Sequence, residues 1–400
     1  SNNHNLISKM VYRFEDIKVV HLEVTTKCNA NCPMCGRNAF GVVCPNLQLT
    51  ELTLEDCKKI FPPAFLRQLT DISICGAYGD PVCTRELLEI IEYMRRGNQN
   101  LEIEIYTNGG IRSAWWWERL AQLIGKNGKV IFAIDGLEDT NHIYRRGTIF
   151  THIIRNAKAF IEAGGRAQWD FIVFKHNEHQ VEQAKKLSEE LGFEIFSIKR
   201  SNRFYKVLYE KDPALEYVGE EFGKYPVYDF TGRKVGYIEL PENPKYWDES
   251  LRTLKTLIKK FGSLDRYFDE VPIDCKAKKH QSIFISATGL VFPCCWFYHQ
   301  TNYRTFYNVT DPCELGAEKI LRQIGGVDQI SAKKHPLKDI VEGEFFRQIE
   351  ESWHLQGLKN GRPKVCARAC GIYLDMHANQ FENKALNPWY KSHPKHYNKT

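Results

Sequence analysis

The stretch Cys28-Asn29-Ala30-Asn31-Cys32-Pro33-Met34-Cys35 brings three cysteines together within eight residues of the chain. Three thiolates at this spacing can bind three irons of a [4Fe–4S] cluster and leave the fourth iron without a protein ligand. A cluster that only carries electrons is normally closed by a fourth cysteine, and after Cys35 the chain offers none until Cys44. The spacing therefore predicts a cluster with one iron open for chemistry.

Zinc is the alternative occupant, because short cysteine spacings also form structural zinc sites. Such sites usually combine two pairs of ligands, whereas the spacing here is three residues and then two. The spacing favours iron–sulfur and leaves zinc open. The corresponding alternative function is a zinc-stabilised binding protein without catalytic activity.

The composition is typical of a large globular chain. Of the 400 residues, 43% are hydrophobic, which is enough for a sizeable core. No run approaches the roughly 18 apolar residues of a membrane span. Thirteen cysteines without a secretion signal favour a reducing cytoplasm in which thiols bind metals. The net charge of +6 includes no long Lys/Arg block, so we expect neither a membrane nor a nucleic acid as partner.

The first half of the chain alternates short apolar, β-branched runs with amphipathic helical patterns. This rhythm is typical of repeated βα units on a parallel sheet, and it predicts the α/β class. The six predicted strands are Val19–Thr25, Asp71–Cys75, Glu102–Thr107, Lys129–Asp135, Gln168–Phe174 and Glu194–Lys199.

Unusual residues follow four of these strands directly. The first strand leads into the cysteine stretch, and the next three lead into Gly76-Ala77-Tyr78-Gly79-Asp80-Pro81, Thr107-Asn108-Gly109-Gly110 and Asp135-Gly136. In barrels of βα units, active sites form on the loops after the carboxyl ends of the strands. The sequence therefore predicts one site at one rim of the sheet.

The motif Cys-x3-Cys-x2-Cys after a first strand resembles the signature of the radical S-adenosylmethionine (radical SAM) enzymes. The six units match the partial (β/α)6 barrel of that family. The resemblance implies that SAM chelates the open iron and is cleaved to a 5′-deoxyadenosyl radical, which takes a hydrogen atom from a substrate. It also implies an electron donor of the flavodoxin or ferredoxin type.

Several positions match the SAM-binding motifs of the family. Met34 would lie against the adenine. Tyr78-Gly79-Asp80-Pro81 resembles a Gly-Gly-Glu-Pro motif whose backbone accepts the SAM amino group, with Asp80 in place of the usual Glu. Because the family contact is largely through the backbone, the exchange of Glu for Asp80 is compatible with SAM binding at this motif.

Further matches follow the third and fourth strands. Thr107 and Asn108 resemble the family's Thr-Asn-Gly segment. Asp135 resembles the Asp of a Ser-x-Asp-Gly segment, where it can accept hydrogen bonds from both ribose hydroxyls; the usual Ser is Ala133 here. Arg145 is a candidate to pair with the SAM carboxylate, although a surface arginine is the ordinary alternative.

A second cysteine set lies near the C-terminus, at Cys275, Cys294, Cys366 and Cys370. Its spacing, with Gly289 between the first two, resembles the SPASM family but lacks the middle cysteines, a shortened form called a twitch domain. The resemblance implies a second, auxiliary [4Fe–4S] cluster that is closed by four cysteines and transfers electrons. A zinc ribbon is the alternative. The predicted hairpin strands Ser282–Ala287 and Leu290–Pro293 would carry Cys294.

We therefore expect a radical SAM barrel over residues 1–200, an insertion over 201–270 and a smaller α+β twitch domain with a β-hairpin over 271–400. The insertion would contain a hairpin turning at 231–234 and a helix over 250–261. The basic, aromatic stretch 199–206 is either an anion site or a solvated strand end.

A closed auxiliary cluster favours oxidation of a substrate, by dehydrogenation or bond formation, on a peptide or protein side chain or a small metabolite. Peptide epimerisation is one alternative, and it would need a thiol such as Cys313 or Cys295 to return a hydrogen. Modification of RNA or a nucleotide is another.

Overall fold

The computed structural model describes residues 12–39, 41–204, 223–307 and 316–373. Its strands are β1 (Val19–Leu22), β2 (Asn38–Ala39), β3 (Val42–Val43), β4 (Asp71–Ile74), β5 (Glu102–Thr107), β6 (Gly128–Ala133), β7 (Ala167–Ile172), β8 (Ile195–Lys199), β9 (Lys224–Tyr228), β10 (Lys234–Glu239), β11 (Ser282–Ile285) and β12 (Val291–Phe292).

The α-helices are α1 (Leu54–Ile60), α2 (Pro63–Gln68), α3 (Leu87–Gly97), α4 (Ala114–Ile124), α5 (Asn141–Tyr144), α6 (Phe150–Glu162), α7 (Val181–Leu191), α8 (Glu249–Phe261), α9 (Leu264–Glu270), α10 (Lys276–Lys279), α11 (Cys295–Tyr307), α12 (Gly316–Gln323), α13 (Leu337–Val341), α14 (Glu344–Ser352) and α15 (Lys364–Cys370). None of them, within the ranges described, is both long enough and apolar enough to cross a membrane.

The main sheet has eight strands in the order β12-β11-β1-β4-β5-β6-β7-β8. All neighbouring pairs are parallel except β11 with β12. The six strands predicted in the first half of the chain are β1 and β4 to β8, with helices between consecutive strands. The α/β class and the partial (β/α)6 barrel are therefore confirmed.

The predicted C-terminal hairpin forms, but it belongs to the same sheet. Strand β11 pairs in parallel with β1, with Val20 opposite Ile283 and Leu22 opposite Ile285. The side chains of Ile283 and Ile285 are buried in the large core that also contains Val20 and Leu22. The C-terminal elements thus extend the barrel sheet beyond its first strand, while the domain boundaries at 200 and 270 stay a prediction.

Several strands end before their predicted carboxyl ends because side chains take over the backbone hydrogen bonds. The N–H of Asp135 donates to the side-chain oxygen of Asn141 at 2.8 Å, so β6 ends at Ala133. The N–H of Phe174 donates to the side chain of Asn177 at 2.7 Å, two residues after β7 ends. Because these backbone N–H groups bond to side chains, the chain leaves the β-sheet hydrogen-bond pattern at the rim where the site lies.

The insertion contains the predicted hairpin and helix, as β9, β10 and α8. The side chain of Asp229 accepts hydrogen bonds from the N–H groups of Thr231 at 2.9 Å and Arg233 at 3.0 Å, which fixes the turn. The apolar face of the hairpin belongs to a second hydrophobic cluster that also contains Cys32 and Met34. The insertion therefore packs directly on the cysteine loop.

Candidate functional site

The first cysteine set lies on the loop that follows the carboxyl end of β1. Cys32 is buried, whereas Cys28 and Cys35 are half-buried. Burial raises the pKa of the Cys32 thiol to about 11, the neighbouring Arg145 guanidinium opposes this, and negative charge on Cys35 adds to it. Burial and the charges of Asp80, Cys32 and Cys35 likewise raise the pKa of Cys28. The three sulfur atoms thus lie close together.

Hydrogen-bond donors surround these sulfurs. The N–H of Ala30 lies 3.4 Å from Cys28 Sγ, and the side-chain amide of Asn108 lies 3.9 Å from it. Arg145 Nη1 lies 3.6 Å from Cys32 Sγ. Closely spaced sulfurs among N–H donors and beside the Arg145 guanidinium suit thiolates bound to iron, which supplies the compensating charge. The residues therefore fit a cluster at this loop.

The loop after β4 touches the cysteine loop through its backbone. A Cβ atom at Gly79 would lie 1.9 Å from the carbonyl oxygen of Thr25, a distance that no side chain can occupy. The N–H of Asp80 donates to the carbonyl of Lys27 at 2.8 Å. Gly79 is therefore required for the close approach of the two loops. Its predicted contact with the SAM amino group stays a prediction.

The Asp80 carboxylate joins the loops after β4 and β5. It accepts hydrogen bonds from Thr107 Oγ1 at 2.8 Å, the N–H of Asn108 at 2.7 Å and the N–H of Val82 at 3.0 Å. Burial raises the pKa of Asp80, against the donors that favour its charged form. The side chains of Asp80 and Thr107 thus shape the site from within, rather than presenting polar groups to a ligand.

Asn108 is joined to the cysteine loop by a reciprocal pair of amide hydrogen bonds with Asn29. Asn29 Nδ2 donates to Asn108 Oδ1 at 3.1 Å, and Asn108 Nδ2 donates to Asn29 Oδ1 at 2.9 Å. The loops that follow β1, β4 and β5 are therefore one hydrogen-bonded assembly.

Asp135 and Arg145 form a buried ion pair beside Cys32. Arg145 Nε lies 2.6 Å from Asp135 Oδ2, and the N–H of Ile172 donates to Asp135 Oδ1 at 2.7 Å. Each carboxylate oxygen thus has one donor within the protein, and an ionised carboxylate can accept further hydrogen bonds. The contact of Asp135 with the ribose hydroxyls, and the pairing of Arg145 with the SAM carboxylate, stay predictions.

Met34 lies in the second hydrophobic cluster, next to the cysteine loop. Its side chain is buried, and its carbonyl oxygen accepts a hydrogen bond from Arg203 Nη1 at 2.5 Å. Arg203, which belongs to the basic stretch 199–206, therefore contacts the cysteine loop. The contact of Met34 with adenine stays a prediction.

The second cysteine set lines one pocket. Cys275, Cys294, Cys366 and Cys370 share it with Trp296 and Trp353. The N–H of Lys278 lies 3.5 Å from Cys275 Sγ, and the N–H of Lys276 lies 3.5 Å from Cys370 Sγ. Burial raises the pKa of Cys294, which directly precedes α11, although the N–H groups of Phe297 and Trp296 lower it. Four converging thiols with backbone donors fit a fully cysteine-ligated cluster.

The two cysteines predicted as hydrogen donors, Cys295 and Cys313, are not part of either set of four or three cysteines. Cys295 is not among the residues that line the pocket of Cys294. Burial raises the pKa of its thiol to about 12, and the charges of Cys75 and Glu23 contribute. Cys313 lies outside the described residues.

In the described ranges, no group of three or more His, Cys, Asp or Glu side chains is placed to hold one metal ion. A [4Fe–4S] cluster has a different requirement, since each cysteine binds its own iron.

Sequence reasoning missed Glu23, which connects the two halves of the site. One carboxylate oxygen accepts from the N–H of Tyr78 at 2.7 Å and the other from the N–H of Ala287 at 3.3 Å. The side chain is completely buried, and burial raises the pKa of Glu23 to about 7. A lone acidic residue beside a buried strand is the signal that could have found it.

His299 was also missed, and it brings α11 to the loop after β4. Its Nδ1 lies 2.9 Å from the hydroxyl of Tyr78, and the two rings pack edge to face. A Cβ atom at Gly36, the residue after Cys35, would lie 3.0 Å from the His299 ring. Helix α11 thus begins beside one cysteine set and contacts the loop of the other.

Residues 22–187 match the family model described as the Radical SAM superfamily. The matched residues include the first cysteine set and all the predicted SAM contacts. A comparison with curated proteins found no match.

Among solved structures, the chain is similar to Streptococcus suis SuiB bound to S-adenosylmethionine, with 16% identity, 90% of this chain and 80% of that chain covered, and a TM-score of 0.48. It is also similar to anSMEcpe with bound AdoMet, with 13% identity, 94% of each chain covered and a TM-score of 0.46. A third is BtrN in complex with AdoMet and 2-DOIA, with 11% identity, 88% of this chain and 92% of that chain covered, and a TM-score of 0.41.

The buried carboxyl of Glu23 predicts a pH-dependent stability. Its pKa is about 7 in the folded protein against an ordinary value of 4.5, so the folded state binds the extra proton between these values. Stability should therefore fall by roughly 3 kcal/mol as the pH rises through this window. Thermal denaturation at pH 5.0 and 7.5 should show a smaller change for Glu23→Gln than for wild type. The exposed Glu242→Gln serves as control and should keep the wild-type change; parallel profiles of Glu23→Gln and wild type would refute the assignment.

Proposed function

We propose that the chain is a radical SAM enzyme that oxidises its substrate, by dehydrogenation or bond formation. The substrate would be a peptide or protein side chain or a small metabolite, and the electron donor a flavodoxin- or ferredoxin-type protein. One observation supports this proposal most strongly. The three-cysteine loop is hydrogen-bonded to the loops after β4 and β5 at one rim of the sheet, within the residues that match the Radical SAM superfamily model.

Cys28, Cys32 and Cys35 would hold the cluster whose open iron takes SAM. A cluster held there would supply the electron for reductive cleavage of bound SAM to methionine and a 5′-deoxyadenosyl radical, which would take a hydrogen atom from the substrate. Asp80 and the Asn29–Asn108 pair hold the surrounding loops in position. The insertion hairpin packs on the cysteine loop through the second hydrophobic cluster, which keeps water from that side of the loop. Exclusion of water protects a reactive species from side reactions.

Cys275, Cys294, Cys366 and Cys370 would hold the auxiliary cluster. Full cysteine ligation suits electron transfer, and this supports an oxidation in which the substrate gives up an electron after losing a hydrogen atom. Helix α11 supports the same role, because His299 lies only five positions after Cys294 and touches Tyr78. Five residues correspond to roughly 7 Å of helix rise. The two cysteine sets are thus linked by a short helical segment.

SAM cleavage tests the first cluster. Anaerobically reconstituted protein with dithionite in place of the protein donor should convert SAM to 5′-deoxyadenosine and methionine, measured by chromatography. Cys32→Ala removes a ligand and should abolish the product. Cys57→Ala, which alters a buried cysteine outside both sets, should retain it. Cleavage by Cys32→Ala at the wild-type rate would show that the assignment is wrong.

Iron content tests the second cluster. Wild-type protein should bind roughly eight irons, and a variant with Cys28, Cys32 and Cys35 all changed to Ala should keep about half. The remaining iron should disappear when Cys366 and Cys370 are also changed to Ala. A triple variant that is folded by circular dichroism but free of iron would contradict an auxiliary cluster.

Product mass tests the reaction once a substrate is found. Oxidation should give a product two daltons lighter, with one 5′-deoxyadenosine formed per product. Epimerisation in deuterium oxide would instead add one dalton, because a thiol returns a solvent-derived hydrogen. A deuteron in the product that is lost in Cys295→Ala or Cys313→Ala would establish epimerisation and exclude the oxidation.

A further inference from the structure

Two buried hydrogen-bond donors stand beside the auxiliary cysteines without a completed hydrogen bond. They are the hydroxyl of Tyr12 and the indole Nε1 of Trp353, both inaccessible to solvent and without a partner atom at hydrogen-bond geometry among the described residues. Leaving a buried donor unpaired is costly, because its hydration is lost without replacement. Two such donors at one site therefore indicate acceptors that the described residues, without a bound group, do not place at hydrogen-bond geometry.

The surroundings of Tyr12 direct its hydroxyl towards the sulfurs. Its ring packs edge to face on Phe346 at 5.0 Å, and the ammonium of Lys278 lies 5.8 Å from the ring centre. The thiol of Cys275 approaches the hydroxyl without completing a hydrogen bond, and burial followed by the charges of Cys275 and Cys294 raises the pKa of Tyr12. The phenol is thus held in place by packing, with sulfur as its polar neighbour.

Trp353 is the second donor at this site. It follows α14 and lines the pocket together with the four cysteines. Its indole N–H is directed towards Cys366, again short of a full hydrogen bond. Cys275, Cys294 and Cys370 each receive a backbone N–H, so Trp353 provides a side-chain donor for the remaining cysteine.

We propose that Tyr12 and Trp353 donate hydrogen bonds to sulfur atoms of the auxiliary cluster, either its cysteine sulfurs or its sulfides, and thereby raise its reduction potential. This inference rests on the auxiliary cluster of the proposed function. Hydrogen bonds to the sulfurs stabilise the more negative, reduced state of a cluster. A cluster with a raised potential is a better acceptor for the electron that the substrate gives up after it has lost a hydrogen atom.

The test uses the variant with Cys28, Cys32 and Cys35 changed to Ala, so that only the auxiliary cluster titrates. Tyr12→Phe and Trp353→Phe in this background should each shift the midpoint potential to a more negative value, measured by a redox titration monitored by electron paramagnetic resonance. The two shifts should add, with iron content unchanged. Tyr93→Phe and Trp247→Phe are matched controls, because their donors bind backbone carbonyls away from the pocket; they should leave the potential unmoved.

Resonance Raman spectra in H2O and D2O give a second readout. Part of the isotope shift of the Fe–S bands should be lost in each of the two variants and kept in both controls. Potentials equal to that of the background variant, or loss of iron from a folded Tyr12→Phe or Trp353→Phe protein, would overturn the proposal, since a tuning donor is dispensable for cluster retention. Absence of iron from the background variant itself would instead refute the auxiliary cluster.

Discussion

Strand β1 is hydrogen-bonded on both sides, and the positions of the two cysteine sets depend on this pairing. β4 on one side brings the loop of Tyr78 and Asp80 to the rim, and β11 on the other brings the hairpin that precedes Cys294. The cysteine loop leaves the carboxyl end of β1 between these neighbours. Because parallel strands have evenly spaced hydrogen bonds and a fixed register, the separation of the two sites is set by the sheet.

The polar groups of the site are arranged to satisfy one another. Asp80, Asp135 and Glu23 are buried carboxylates, and each accepts a hydrogen bond from a residue at or beyond the carboxyl end of another strand. A buried carboxylate without such donors would be costly. These three residues therefore join segments that the order of the chain separates, and they do so at the rim where chemistry is expected.

Much of this arrangement could be predicted from local sequence. The βα rhythm gave the six strands of the barrel, and cysteine spacing selected the two sets that the structure places in one loop and one pocket. Glu23, His299 and Tyr12 could not be predicted in the same way, since their partners lie 55 to more than 200 residues away along the chain. Their roles depend on tertiary packing rather than on a motif. The same holds for Asp135, whose carboxylate is bonded to Arg145 and the backbone of Ile172.

The shared sheet makes the two ends of the chain interdependent. Without β11, the N–H and C=O groups along one side of Val19–Leu22 would lose their partners, and β1 would become an edge strand of apolar character. Exposed edges of this kind pair with other chains and promote aggregation. A fragment cut at the apparent boundary near residue 270 would therefore be expected to associate with itself, even though its barrel sequence is intact, so the C-terminal hairpin also protects the solubility of the barrel.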